Sequence, residues 1–232
     1  MIYLDHNATT PIAPEVFEVM MPYLTAEWGN PSSTYRFGAK LKGVVEAARE
    51  QVTELIGARA GEVLFTSCAT ESNNAALHAA LKTTGKRHIV TSAVEHSSVL
   101  NHARVLEGNH GSHGLPEVGT DRRAVRSEET ASARPAVALY HVTYLPVDRD
   151  GLLNLADLEA AITDETALVS LMWANNETGV LFPVKEIAEV CRARGVLFHC
   201  DAVQAAGKIE IDVRNVPVDY LSLTGHKFGA PK

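Results

Sequence analysis

The stretch ALVSLMWANNETGVLFPVKEIAEVCRARGVLFHCDA, residues 167–202, contains the pattern that decides the fold. It begins with a short apolar run, ALVSLMW, continues with the amphipathic segment PVKEIAEVCRARG, and closes with a second apolar run, VLFHCDA. Short apolar runs are typical of strands buried on both faces, and the segment between them has helical spacing. The stretch therefore predicts a strand, a helix and a second strand parallel to the first.

The same alternation extends in both directions along the chain. Apolar residues at helical spacing predict a helix over residues 36–56, ended by Gly57. A strand EVLFTS over residues 62–67, an alanine- and leucine-rich helix, the strand HIVTSAVEH and the helix SVLNHARVL are predicted next, and the strand DYLSLTG near the end. We predict an α/β fold with a mainly parallel sheet sandwiched by helices.

Composition excludes several classes of protein. Hydrophobic residues make up 46% and charged residues 21% of 232 residues, a globular balance. The net charge of −7 argues against a nucleic-acid surface, and no apolar run has the length of a membrane span. The opening MIYLDHNATTP lacks the features of a signal peptide, so we expect a cytoplasmic protein.

Cysteine usage and one polar stretch yield no metal site. Cys191 and Cys200 lie in apolar patterns and are predicted to be buried, and no CxxC pair is present. Residues 107–140 are rich in Gly, Ser, Thr and charge, and we predict a solvated, atypical insertion there. His110 and His113 form an isolated HxxH pair within it, which is weak evidence for a metal.

Polar or small residues follow five predicted strands, at the point where each strand ends. The segments are CATESNN, His96, ANNETG, DAVQ and TGHKFGAPK. Ligands of open parallel sheets bind outside the carboxyl ends of the strands. The pattern therefore predicts one ligand site, and its groups suit an aromatic, phosphorylated, positively charged cofactor.

The CATESNN segment opens a helix, whose free N–H groups suit a phosphate. Ala69 lets the backbone approach closely, and Thr70 adds a hydroxyl. The alternative is an ordinary helix start with Thr70 as the N-cap.

Side chains at the later strand ends suit the ring of such a cofactor. Asp201 can pair with a protonated pyridine nitrogen, or it can cap the following loop. His96 can stack on a ring and move protons, although a lone histidine is more often structural. Asn176 and Gln204 can hydrogen-bond a ring oxygen, although Asn is also common in turns.

Lys227 lies just past the last predicted strand, in SLTGHKFGAPK. A desolvated lysine near other cations becomes nucleophilic, whereas most lysines are solvated surface groups. Thr224 and His226 beside it can contact a phosphate.

Seven motifs resemble, in order, those of cysteine desulfurases of the NifS/IscS group. The match runs from Tyr3 to Lys232, interrupted by residues 107–140, and its motifs are LDHNATTP, GNPSS, FTSCATESNN, TSAVEHSSVL, ANNETG, HCDAVQAAGK and SLTGHKFGAPK. The resemblance implies a fold-type I enzyme of the class V aminotransferase superfamily that uses pyridoxal 5'-phosphate. It also implies an N-terminal arm over residues 1–13 and a cofactor-binding large domain over residues 14–232.

The resemblance implies a role for each candidate residue. Lys227 matches the lysine that forms a Schiff base with the cofactor, and Asp201 matches the partner of the pyridine nitrogen. His96 matches the ring-stacking, proton-transferring histidine, and Lys227 and His96 are the predicted catalytic residues. The remaining candidates match residues that contact the cofactor in the family. Asn176 and Gln204 match the contacts to the ring hydroxyl, and the contacts to the phosphate are matched by Ala69, Thr70, Thr224 and His226.

The implied reaction converts L-cysteine to L-alanine and passes the sulfur, as a persulfide, to a NifU/IscU-like scaffold for iron–sulfur cluster assembly, nitrogenase cofactor assembly included. The implied enzyme is a homodimer without nucleic-acid or membrane partners. Family members are considerably longer, so the resemblance implies a C-terminally truncated chain without the small domain, the substrate-binding arginine and the mobile-loop cysteine. Two alternatives are a non-catalytic paralogue or scaffold that pairs with a full-length desulfurase, and another class V aminotransferase-like enzyme.

Overall fold

A computed structural model of the chain describes residues 2–108 and 140–231. Within them, five strands form one sheet in which all neighbours are parallel. The strands are β1 His88–Ser92, β2 His141–Leu145, β3 Thr166–Met172, β4 Leu197–Asp201 and β5 Tyr220–Ser222. Their order across the sheet is β2-β1-β3-β4-β5. The chain therefore reverses its direction across the sheet between β1 and β3, and such a switch point is where open α/β sheets bind ligands.

Six α-helices accompany the sheet in the described residues. They are α1 Pro14–Thr25, α2 Arg36–Ile56, α3 Ala69–Thr84, α4 Ser97–Leu106, α5 Leu155–Ala161 and α6 Val184–Arg194. Helices cover both faces of the sheet, because neighbouring residues of β1 and of β3 pack into different hydrophobic clusters. Val90 and Val169 pack with α5 and α6, whereas Ile89 and Leu168 pack with α3 and α4. The predicted sandwich is thus confirmed.

Local predictions are confirmed where the apolar pattern is long. Helix α2 runs from Arg36 to Ile56 and ends at Gly57, whose φ of 71° is the left-handed conformation that glycine adopts readily. Cys191 and Cys200 are buried as predicted, with 1% and 0% of their surface exposed. In the described chain, no helix is both long and apolar enough to cross a membrane.

The prediction of a strand over residues 62–67 is wrong. Only the 3-10 turn Ala60–Glu62 is regular there, and Leu64 and Phe65 are 81% and 48% exposed. The Val63 carbonyl accepts a hydrogen bond from Arg49, and the guanidinium of Arg49 lies over the Phe65 ring. An apolar run becomes a strand only beside another strand, and none pairs with this segment in the described residues.

Two predictions are not tested by the described structure. The insertion predicted at residues 107–140, with His110 and His113, falls almost entirely outside the described residues. The division into an arm over residues 1–13 and a large domain from residue 14 stays a prediction, although α1 does begin at Pro14.

Candidate active site

A cavity of about 240 Å³ opens at the carboxyl ends of β1, β3, β4 and β5. All nine residues that the sequence predicts for the site line it: Ala69, Thr70, His96, Asn176, Asp201, Gln204, Thr224, His226 and Lys227. Asp201 and Lys227 therefore lie at the same side of the sheet, as the cofactor hypothesis requires. The structure brings the predicted residues together, and the role of each stays a prediction.

Asp201 lies at the floor of the cavity and is 5% exposed. Its Oδ1 accepts a hydrogen bond from the backbone N–H of Val203 at 3.0 Å, and its Oδ2 accepts one from Asn73 Nδ2 at 2.8 Å. Burial raises the pKa of Asp201, and these hydrogen bonds, together with the charges of His96 and Lys227, offset part of the rise. A buried carboxylate of this kind is stabilised by a positively charged ligand.

Asn73 is a site residue that the sequence prediction missed. It is fully buried on α3, where Ala76, Leu77 and Ala80 continue the same buried stripe. Its amide donates to both Asp201 and Ser98, while its Oδ1 has no partner within the described residues. An amide on an apolar stripe requires a buried polar partner, and that signal was available in the sequence.

Helix α3 begins at the rim of the cavity. Its N-cap is Cys68, not Thr70, and the Cys68 side chain makes no cap hydrogen bond. The alternative interpretation of Thr70 as the N-cap is therefore wrong. The pKa of the exposed Cys68 thiol is lowered, chiefly by the backbone N–H of Glu71 and then by the Ser67 hydroxyl. The first turn of α3 thus favours negative charge at this rim, as a phosphate site requires.

His96 is the N-cap of α4, which is a structural role of the kind expected for a lone histidine. It also lines the cavity, where the sequence predicts it. Its Nδ1 accepts a hydrogen bond from the Ser98 backbone N–H at 3.1 Å and lies 2.8 Å from the Ser98 hydroxyl. These contacts fix the ring at the exposed rim of the cavity.

The two asparagines of NNETG have different tasks. Asn175 Oδ1 accepts hydrogen bonds from the backbone N–H groups of Glu177 and Thr178, both at 2.9 Å, and thereby makes the turn. Asn176 is left at the cavity, beside Gln204, which is 8% exposed. The turn is therefore made by Asn175, and the ligand contact of Asn176 stays a prediction.

Glu95 is a second buried carboxyl group beneath the site and was not predicted. Its Oε1 accepts hydrogen bonds from the Ser92 hydroxyl at 2.7 Å and the Met172 backbone N–H at 3.1 Å. Burial raises its pKa to about 8, and the negative charge of Asp201 adds to the rise. Burial therefore favours the protonated form of Glu95 at neutral pH.

The matched family model describes an aminotransferase class-V domain and covers residues 2–113 and 121–232. The chain belongs to this family, whose members depend on pyridoxal 5'-phosphate. The gap in the match lies inside the stretch predicted as an insertion.

The chain is similar to cysteine desulfurases. It is 47% identical over 233 residues to the cysteine desulfurase of Trichormus azollae, covering 100% of this chain and 51% of that protein. A solved NifS-like protein superposes with a TM-score of 0.84 at 34% identity, covering 100% of this chain and 57% of its own. A structure of SspA in complex with cysteine also gives a TM-score of 0.84, at 33% identity, with 100% and 59% coverage.

The chain spans about half the length of the curated relatives it matches. The resemblance to cysteine desulfurases inferred from the motifs is confirmed. Neither a non-catalytic scaffold nor another class V enzyme is favoured by these relatives.

Proposed function

We propose that the chain carries the cofactor site of a cysteine desulfurase, which converts L-cysteine to L-alanine and hands on the sulfur as a persulfide. The observation that supports it best is the convergence of the nine predicted residues, from segments up to 158 positions apart, on one cavity. The similarity to cysteine desulfurases adds to it.

The cavity fits pyridoxal 5'-phosphate in three respects. The start of α3 offers N–H groups to the phosphate, with the hydroxyls of Thr70 and Thr224 and the ring of His226 beside it. The buried Asp201 would hold the protonated ring nitrogen. Asn176 and Gln204 would contact the ring hydroxyl. When bound, the cofactor supplies an electron sink for the charge left on the substrate α-carbon.

The residues of the chain divide the remaining work. Lys227, held at the rim of the same cavity, accepts the α-proton of L-cysteine. His96, fixed through its Nδ1 by Ser98, is placed to move a second proton. Asn73 keeps Asp201 oriented.

Sulfur transfer needs a thiolate, and the described cysteines differ in their suitability. Burial raises the pKa of Cys191 to about 12 and raises the pKa of Cys200 well above its ordinary value. Both thiols are therefore inert. Cys68 is exposed and its pKa is lowered, but its position does not match that of the family's mobile-loop cysteine. We propose that the attacking thiol is the mobile-loop cysteine that the family resemblance implies.

A NifU/IscU-like scaffold is the proposed sulfur acceptor, in a cytoplasmic pathway of iron–sulfur cluster assembly. We further propose a homodimer. Helix α1 has no buried residue. Its apolar side chains Phe17, Val19 and Leu24 are 51%, 67% and 65% exposed. A second copy covering this surface would bury those side chains. Sedimentation of the purified chain tests this, and a monomer at all concentrations would refute it.

The visible absorption spectrum with added pyridoxal 5'-phosphate tests the assignment of Lys227. We expect wild-type protein to gain the absorption band of a lysine-bound cofactor and Lys227→Ala to lack it. Lys185→Ala, at an exposed position on α6, is the matched control and should keep the band. Borohydride reduction and peptide mass spectrometry should place the label on Lys227. A band that persists in Lys227→Ala would remove this lysine from the proposed role.

A further inference from the structure

Residues 7–13, which form the second half of the predicted N-terminal arm of residues 1–13, run along the loop that carries Lys227. The Thr10 hydroxyl donates to the His226 carbonyl at 3.0 Å and accepts from the Gly229 N–H at 2.8 Å. The Ala13 N–H donates to the Gly229 carbonyl at 2.8 Å. The arm is thus fixed to the lysine loop by hydrogen bonds on both sides of Lys227.

The arm also contacts the amine of Lys227 directly. Lys227 Nζ donates hydrogen bonds to two arm carbonyls, that of Asn7 and, at 3.1 Å, that of Ala8. Carbonyl oxygens only accept hydrogen bonds, so these contacts hold the amine through its protons. An ammonium group held in this way has no lone pair for nucleophilic attack.

Asn7 joins the arm to the loops around the cavity. Its carbonyl also accepts from Gln204 Nε2 at 2.9 Å, and its side-chain amide donates to the Asn176 carbonyl at 3.4 Å. Its Oδ1 accepts from Lys208 Nζ at 3.5 Å. One exposed residue therefore connects segments that follow β3, β4 and β5, without any place in the core.

We propose that Asn7 is a positioning residue for Lys227. Its side chain fixes the arm so that the Asn7 and Ala8 carbonyls hold the lysine ammonium at the rim of the cavity in the cofactor-free chain. The role of this contact in catalysis rests on the proposed function of Lys227, whereas the contact itself is independent of that function.

Reductive methylation of the cofactor-free chain with formaldehyde and a borane tests whether the arm restrains the amine of Lys227. Peptide mass spectrometry gives the rate of methylation at each lysine. Asn7→Ala keeps the backbone carbonyls that accept from Lys227. It removes the side-chain contacts to Asn176 and Lys208, so the carbonyls should be held in place less firmly. The rate at Lys227 should then rise by about fivefold, the order expected for losing one ordinary hydrogen bond. Lys86 is the internal control, because its Nζ donates to the Thr166 carbonyl at 3.2 Å, at the opposite end of β3. Its rate should not change.

Two variants distinguish positioning from a loss of structure. Asn7→Asp keeps an acceptor for Lys208 and adds a negative charge beside the ammonium groups of Lys208 and Lys227. The methylation rate at Lys227 should therefore stay as low as in wild type. Asn101→Ala, at an exposed position on α4, should leave all rates unchanged. An unchanged Lys227 rate in Asn7→Ala, or equal acceleration in Asn7→Ala and Asn7→Asp, would overturn the proposal, and so would a parallel rise at Lys86. No cofactor is present, so these outcomes are independent of the Lys227→Ala spectrum.

Discussion

Replacing Glu95 by Gln should flatten the pH dependence of the free energy of unfolding. Glu95 is 5% exposed, and burial raises its pKa from an ordinary 4.5 to about 8. Between these values the folded chain keeps a proton that the unfolded chain releases. The contribution to stability is therefore fully present below pH 4.5 and is lost as the pH rises through 8.

The interval between the two pKa values sets the size of the effect. It limits the loss in the free energy of unfolding to about 5 kcal/mol, of which about 4 kcal/mol falls between pH 5 and pH 9. The glutamine side chain of the variant would not titrate, so this part of the pH dependence should vanish. Glu95 Oε2 has no partner in the described residues, so an amide there leaves donors unpaired. That costs about 1–3 kcal/mol at every pH.

Urea unfolding followed by circular dichroism between pH 5 and pH 9 measures both effects. Subtracting the free energy of unfolding of Glu95→Gln from that of wild type removes the contributions of most other titrating groups. The remainder is the contribution of Glu95, including its interaction with Asp201. Glu189→Gln, at an exposed position on α6, is the matched control and should reproduce the wild-type slope. If Glu95→Gln and wild type lose the same free energy of unfolding over this range, Glu95 is not the group that causes the loss.

Two further substitutions test the buried polar groups. His199 is fully buried between the hydroxyls of Ser170 and Ser222, and burial lowers its pKa to about 3. Its own contribution to the free energy of unfolding should therefore fall by about 2 kcal/mol between pH 8 and pH 5, as the unfolded histidine takes up a proton, against the opposite change from Glu95. The difference in free energy of unfolding between wild type and His199→Gln should shift by this amount in urea unfolding, and a constant difference over the range would contradict the cause. Asn73→Ala removes the donor to Asp201 and should lower the free energy of unfolding by about 2–3 kcal/mol, whereas the exposed control Asn101→Ala should stay within about 0.5 kcal/mol of wild type.

Local pattern was sufficient for much of the fold. Helix α2 and strands β1, β3 and β4 lie where apolar periodicity predicts them, because each buries a face or a whole run that the residues themselves specify. The position of the site also followed from the sequence, since polar residues after buried strands meet at one edge of a parallel sheet. The family motifs then attached a chemistry to that edge.

Tertiary structure alone decided the features that depend on partners distant in the chain. The run at residues 62–67 has the composition of a strand, yet a strand exists only where a neighbour accepts its hydrogen bonds. The protonated state of Glu95 depends on being enclosed by β1 and β3, and no local pattern measures enclosure. The contact of Asn7 with Lys227 joins residues 220 positions apart, a distance in sequence over which only the folded chain determines proximity.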